Sequence, residues 1–94
     1  MSASGGVVIV GGGVTGCEAA WRAAALGADV TLVTTSLDTV YALDEEPAAV
    51  AAPPGSLLAE VAARGAATRW EAHRRAKYAL EALPRVHLVQ STVS

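Results

Sequence analysis

Near its start the chain carries an uncharged apolar run, Val7–Val10, that stops against three consecutive glycines, with another glycine at position 16. Gly11, Gly13 and Gly16 stand in the spacing G-x-G-x-x-G. A valine-rich run without polar alternation suits a strand buried on both faces. The alanine-rich stretch that follows, Val14–Leu26, sets Val14, Cys17, Trp21 and Ala24 on one stripe and reads as a helix. Between such a strand and helix each glycine has a distinct task. Gly11 turns the chain sharply, Gly13 leaves room for a pyrophosphate against the backbone, and Gly16 lets the helix lie close to the strand. The free N–H groups and positive dipole end of the helix then face the phosphates. The predicted contact set is Gly11, Gly12, Gly13, Val14, Thr15 and Gly16. A glycine-rich turn that holds no ligand is the competing reading.

Gly27 closes the helix, and DVTLVT, Asp29–Thr34, reads as a second strand. Strand, helix and strand within about thirty residues make a βαβ unit. Residues 44–56 hold Asp44, Glu45, Glu46, three prolines and a glycine and read as an exposed loop. A short helix is predicted over Leu57–Ala63 with Ser56 as its cap, and a longer one over Arg69–Leu83. Thr68 and Glu71 form a capping box for the longer helix, Ala72, Ala76, Ala79, Leu80 and Leu83 form its buried stripe, and Pro84 stops it. VHLVQ, Val86–Gln90, is the third strand. The expected fold is α/β: a partial Rossmann-like, three-layer unit with a parallel three-stranded sheet in the order 3-2-1 and helices on both faces. It is expected as one truncated domain spanning residues 1–94.

At 94 residues the chain has room for one small domain. Its one cysteine, Cys17, excludes an internal disulfide. No apolar run approaches membrane-spanning length and MSASGG lacks the features of a signal peptide, so a cytoplasmic location is expected. Charge is unevenly placed: residues 1–63 hold seven acids and one base, residues 64–94 six bases and two acids.

The acid that usually holds the ribose at the end of the second strand is missing, and Thr34 or Thr35 takes its place. Asp38 could reach in from the loop, or be a turn residue. No Arg or Lys lies between Ala23 and Ala63, which disfavours NADP. Cys17 lies in the first helical turn, where the dipole lowers a thiol pKa and a redox role is conceivable, though a small residue packed between helix and sheet is the favoured reading. His73, on a helix flank, and His87, on a strand, show no metal-ligand pattern, and neither a metal site nor a catalytic residue is predicted. Glu18 and Arg22 stand four apart as a helix-supporting pair. The cations around Arg74 and Lys77 read as a solvated helix face or an RNA-contacting stripe, with no aromatic interleaved to stack bases.

Taken together, VVIVGGGVTGCEAA, TSLDTV and RAKYALEALPRVHLVQSTV resemble the N-terminal flavin-binding part of the glucose-inhibited division protein A family, the tRNA uridine carboxymethylaminomethyl modification enzymes. PPGSLL at 53–58 and HRRAKYALE at 73–81 are similar to the smaller GidA-related flavoproteins. The resemblance runs from Val7 to Val93. It implies FAD held at Gly11, Gly13 and Gly16, with the threonine strand end replacing the acid. In the full enzymes it implies flavin reduced by NADH, a methylene folate donor, the wobble uridine of tRNA as substrate and a GTPase partner. Their Cys-Asn-Pro stretch and glycine-rich flavin loop have no counterpart in residues 41–56. The expected function is therefore FAD binding without catalysis by this chain alone. The alternatives are a non-catalytic assembly module and an NAD-binding fragment. In the order 3-2-1 the first strand lies at the sheet margin without a lysine or proline to protect it, so self-association or a second chain is expected there.

Overall fold

The computed structural model describes residues 6–43, 52–66 and 68–91. Three parallel strands, β1 (Gly6–Val10), β2 (Asp29–Thr34) and β3 (Val86–Gln90), form one sheet in the order β1-β2-β3. Among the described residues three helices accompany them: α1 (Val14–Ala25), α2 (Leu57–Ala63) and α3 (Arg69–Glu81). A single 3₁₀ turn, Leu37–Thr39, follows β2. The expected α/β class, parallel sheet and strand order are those observed. The acidic cluster Asp44–Glu46 and Pro47 lie outside the described residues.

Val7 pairs with Val30, which pairs with Val86, and Ile9 with Leu32, which pairs with Leu88. These six share one face of the sheet, since side chains alternate along each strand. Val30, Leu32 and Val86 join Cys17, Ala20, Leu57, Leu58, Val61, Ala72, Ala76 and Leu80 in a single core, with Ile9 and Leu88 packed against it. All three helices thus contribute to a core on that one face. On the other face Val8 and Val10 are 69% and 65% exposed and Val89 is 40% exposed. The expectation of helices on both faces is not met among the described residues. The reason is topological. Both crossovers step the same way across the sheet, and crossovers of one hand stepping one way put their helices on one side.

Local chemistry sets the helix limits. The Thr68 hydroxyl accepts the Glu71 N–H at 3.1 Å and the Glu71 carboxylate accepts the Thr68 N–H at 3.0 Å, the predicted capping box. Ser56 accepts the Ala59 N–H at 3.1 Å. α1 and α2 end alike: Ala28 N–H reaches the Ala23 carbonyl at 3.0 Å, and Ala66 N–H the Val61 carbonyl at 3.2 Å. Each closure turns through a glycine in the left-handed region, Gly27 at φ +94° and Gly65 at φ +85°. His73 is buried rather than flanking, and its Nδ1 meets the Val40 carbonyl at 2.5 Å, fastening α3 to the segment beyond β2.

Candidate nucleotide-binding site

Gly11 N–H donates to the Val33 carbonyl at 2.7 Å, so the β1–β2 ladder continues one residue into the glycine loop. The chain then leaves the sheet at φ +117°, a conformation that favours glycine. At Gly12 a methyl group would meet the Thr34 Oγ1 at 2.6 Å. At Gly16 it would land on the carbonyl oxygen of Gly11, which is how closely α1 crosses the end of β1. At Gly13, the N-cap of α1, it would meet nothing within 4 Å. The first and third glycines of the motif thus serve the fold, whereas the middle one faces open space.

That space is a cleft of about 580 Å³, lined among others by Gly11, Gly13, Val14, Thr15 and Gly16. Gly13 brings no side chain to cap the α1 N-terminus, no other described residue does so, and the first turn holds no acid. The unpaired N–H groups therefore have nothing of their own to bind. An open wall at Gly13, a bare helix start and no carboxylate in that first turn fit a pyrophosphate.

The ribose-side residues lie less openly. Thr34 is buried, its hydroxyl donating to the Ser36 carbonyl at 3.0 Å and accepting the Ser36 N–H at 3.3 Å. Its one proton is committed to the turn, so it offers a ligand no donor. Thr35 is exposed beside it. Asp38 is exposed in the 3₁₀ turn, where its N–H donates to Ser36 Oγ at 3.1 Å. Its side chain borders a separate hollow of about 690 Å³ along α3 and does not line the glycine cleft. Asp38 thus takes the part of a turn residue.

Cys17 is buried, and burial pushes its thiol up to about 11, overriding the lowering by a backbone hydrogen bond from Tyr41; the Glu18 charge also raises it. Packing, not reactivity, accounts for it. Sequence reasoning gave Glu18 the wrong partner. Its carboxylate does not pair with Arg22 but accepts the Tyr41 hydroxyl at 2.6 Å and the Leu57 and Leu58 N–H groups at 2.9 Å each. Tyr41 is fully buried, at φ 58°, and its N–H donates to the Gly12 carbonyl at 2.8 Å. Its phenol is held above its ordinary range by burial and by the hydrogen bond to Glu18. On α3, Trp70 and Tyr78 are exposed on the stripe that carries Arg74 and Lys77. Aromatics are therefore interleaved with those cations, contrary to expectation. Positions 70, 74, 77 and 78 recur at helical spacing, a signal the sequence already held. Among the described residues no cluster of His, Cys, Asp and Glu could hold a metal ion, and no helix is long and apolar enough to cross a membrane.

A family model described as "Glucose inhibited division protein A" matches residues 6–94. The chain belongs to this family. The tRNA uridine 5-carboxymethylaminomethyl modification enzyme MnmG of Thermus thermophilus is 49% identical over 59 residues, 63% of this chain and 10% of that enzyme. The enzyme of the same name from Chlamydia trachomatis serovar A is 44% identical over 59 residues, again 63% of this chain and 10% of that enzyme. The crystal structure of the GidA-related protein from Thermus thermophilus superposes with a TM-score of 0.83 at 42% identity, covering 96% of this chain and 40% of that one. The chain therefore spans about a tenth of the length of these curated relatives of the glucose-inhibited division protein A family.

Proposed function

We propose that the chain is an FAD-binding unit that holds the ADP part of the dinucleotide at Gly11, Gly12, Gly13, Val14, Thr15 and Gly16, with Thr35 beside the ribose and Thr34 holding the turn. The observation that carries this reading is the contrast between Gly16, closed by the Gly11 carbonyl, and Gly13, open to the cleft. A ligand-free turn would not need the middle position open as well as the helix start bare. Backbone N–H groups of the first turn hold the pyrophosphate, and their dipoles offset its charge. Bound flavin supplies electron transfer; the residues of this chain supply binding and orientation. The flavin ring would extend past the residues named, so the chain by itself does not modify tRNA.

Titration with FAD and with ADP tests the reading, using Gly13→Val as the blocked variant. The wild type should bind both, and the variant should lose at least tenfold in affinity, about 1.4 kcal/mol, with its circular dichroism unchanged. Equal affinity in the two proteins would refute it. Preference for NAD over FAD would favour an NAD-binding fragment instead.

A second reading concerns assembly and rests on the exposed Val8, Val10 and Val89 and on β1 at the sheet margin. An apolar edge strand without a protective charge pairs readily with another strand. The proposed occupant of that edge is a strand from a second copy or from a separate chain. Light scattering on a sizing column decides it: a stable monomer at tens of micromolar, with slow amide exchange at Val7–Val10, would count against it.

A further inference from the structure

Tyr41 sits in the left-handed region at φ 58°, which costs a residue with a Cβ roughly 1–2 kcal/mol. Something must hold it there. Two contacts do: its N–H on the Gly12 carbonyl at 2.8 Å and its hydroxyl on Glu18 at 2.6 Å. The Cys17 Sγ also meets the Gly12 carbonyl, at 3.4 Å. That carbonyl therefore points inward, beneath the loop. In a planar trans peptide the carbonyl and the next N–H point opposite ways. Turning the Gly12 carbonyl inward thus turns the Gly13 N–H outward, toward the side where a Gly13 side chain would meet open space. The same Glu18 carboxylate accepts the first two N–H groups of α2, from Leu57 and Leu58, each at 2.9 Å. One carboxylate thus serves both the loop and a helix some forty positions further along the chain.

We propose that Glu18 and Tyr41 are positioning residues of the phosphate loop: Glu18, acting through Tyr41, fixes the Gly12–Gly13 peptide with its N–H toward the ligand, and by capping α2 it couples occupancy of the loop to the order of that helix. The proposal rests on the nucleotide-binding reading. Ligand on the Gly13 N–H polarises and steadies the peptide whose carbonyl holds Tyr41. Tyr41 in turn steadies the carboxylate that accepts from Leu57 and Leu58. Hydrogen bonds in such a chain reinforce one another.

The test uses the full chain, ADP as the probe, and amide hydrogen exchange beside the binding titration. In the wild type, ADP should slow exchange at Leu57 and Leu58. Tyr41→Phe removes one hydroxyl and keeps the ring. It should weaken ADP by about tenfold, the scale of a lost hydrogen bond to a charged group, and abolish the ADP-dependent slowing at α2. Ser56→Ala, which weakens the α2 cap without touching Tyr41, should keep the ADP-dependent slowing at α2 and lose far less ADP affinity than Tyr41→Phe, since coupling of this kind is reciprocal; a merely structural role for the α2 start would make it behave like Tyr41→Phe. Without ligand, the residue-41 amide should exchange faster in Tyr41→Phe. A wild type that binds ADP beside a Tyr41→Phe chain of equal affinity overturns the positioning role and leaves the nucleotide reading standing. A wild type that does not bind ADP overturns both.

Discussion

Placing the same methyl group at Gly13 and at Gly16 should have very unequal consequences for stability. At Gly16, inside α1, alanine gains about 1 kcal/mol of helix propensity over glycine. Its Cβ would fall on the Gly11 carbonyl oxygen, and would also lie 3.2 Å from the Gly11 carbonyl carbon and 3.5 Å from Ile9 Cγ2. The obstacle is backbone at the end of β1, not a mobile side-chain tip, so α1 must move off the strand. Overpacking of this kind costs roughly 3 kcal/mol, which leaves a net loss of about 2 kcal/mol. At Gly13 the φ of −73° suits an L-residue and the site is open. There the weaker N-cap character of alanine and the reduced freedom of the unfolded chain nearly cancel, within about 0.5 kcal/mol. Urea unfolding followed by circular dichroism measures both. With a slope near 1 kcal/mol per molar for a small domain, Gly16→Ala should lower the midpoint by about 2 M, and Gly13→Ala should move it by no more than about 0.5 M. If Gly16→Ala were as stable as the wild type, helix propensity would have won and the close crossing of α1 over β1 would be refuted.

Cys17 yields a prediction in pH. Its folded thiol is raised from 9.0 to about 11, so the stability it contributes is full below pH 9 and is lost as pH climbs from there toward 11. Tyr41, also raised, acts in the same direction at higher pH. Urea midpoints should therefore fall above pH 9, less steeply in Cys17→Ala, and iodoacetamide at pH 8 should label the unfolded chain but not the folded one; rapid labelling of folded chain would contradict the buried thiol. For the helix caps, Thr68→Ala should cost about 1 kcal/mol, read as a drop of roughly 1 M in the urea midpoint. Ser56→Ala should cost less, because Glu18 still serves two of the α2 N–H groups.

Much of the chain's architecture is written in local signals. The apolar runs at Val7 and Val86, the β-branched DVTLVT, Thr68 with Glu71, and Gly27 each act within a few residues of themselves, and the elements lie where those residues put them. What was not legible depends on distance. Glu18 has an attractive neighbour in Arg22, and nothing in the sequence says that Tyr41, Leu57 and Leu58 will converge on it. His73 reads as a polar flank until the Val40 carbonyl is found against it. The glycine spacing located the cleft, but only the packed structure separates Gly13 from Gly12 and Gly16. The one-sided helix cover was within reach of reasoning, since it follows from strand order and crossover hand.

The register of the sheet also bears on how the chain comes together. Val7 and Val30 close the β1–β2 pairing across one helix, whereas Val30 and Val86 close β2–β3 across more than twice that length of chain. Loop-closure entropy grows only with the logarithm of length, so the second closure costs roughly 0.8 kcal/mol more than the first. The order of events that this favours is nucleation on β1, α1 and β2, with β3 arriving last and locking the 3₁₀ turn through the Gln90 side chain on the Leu37 N–H, at 3.2 Å. The glycine loop, which sits wholly within the early unit, would take shape before the far third of the chain has found its place.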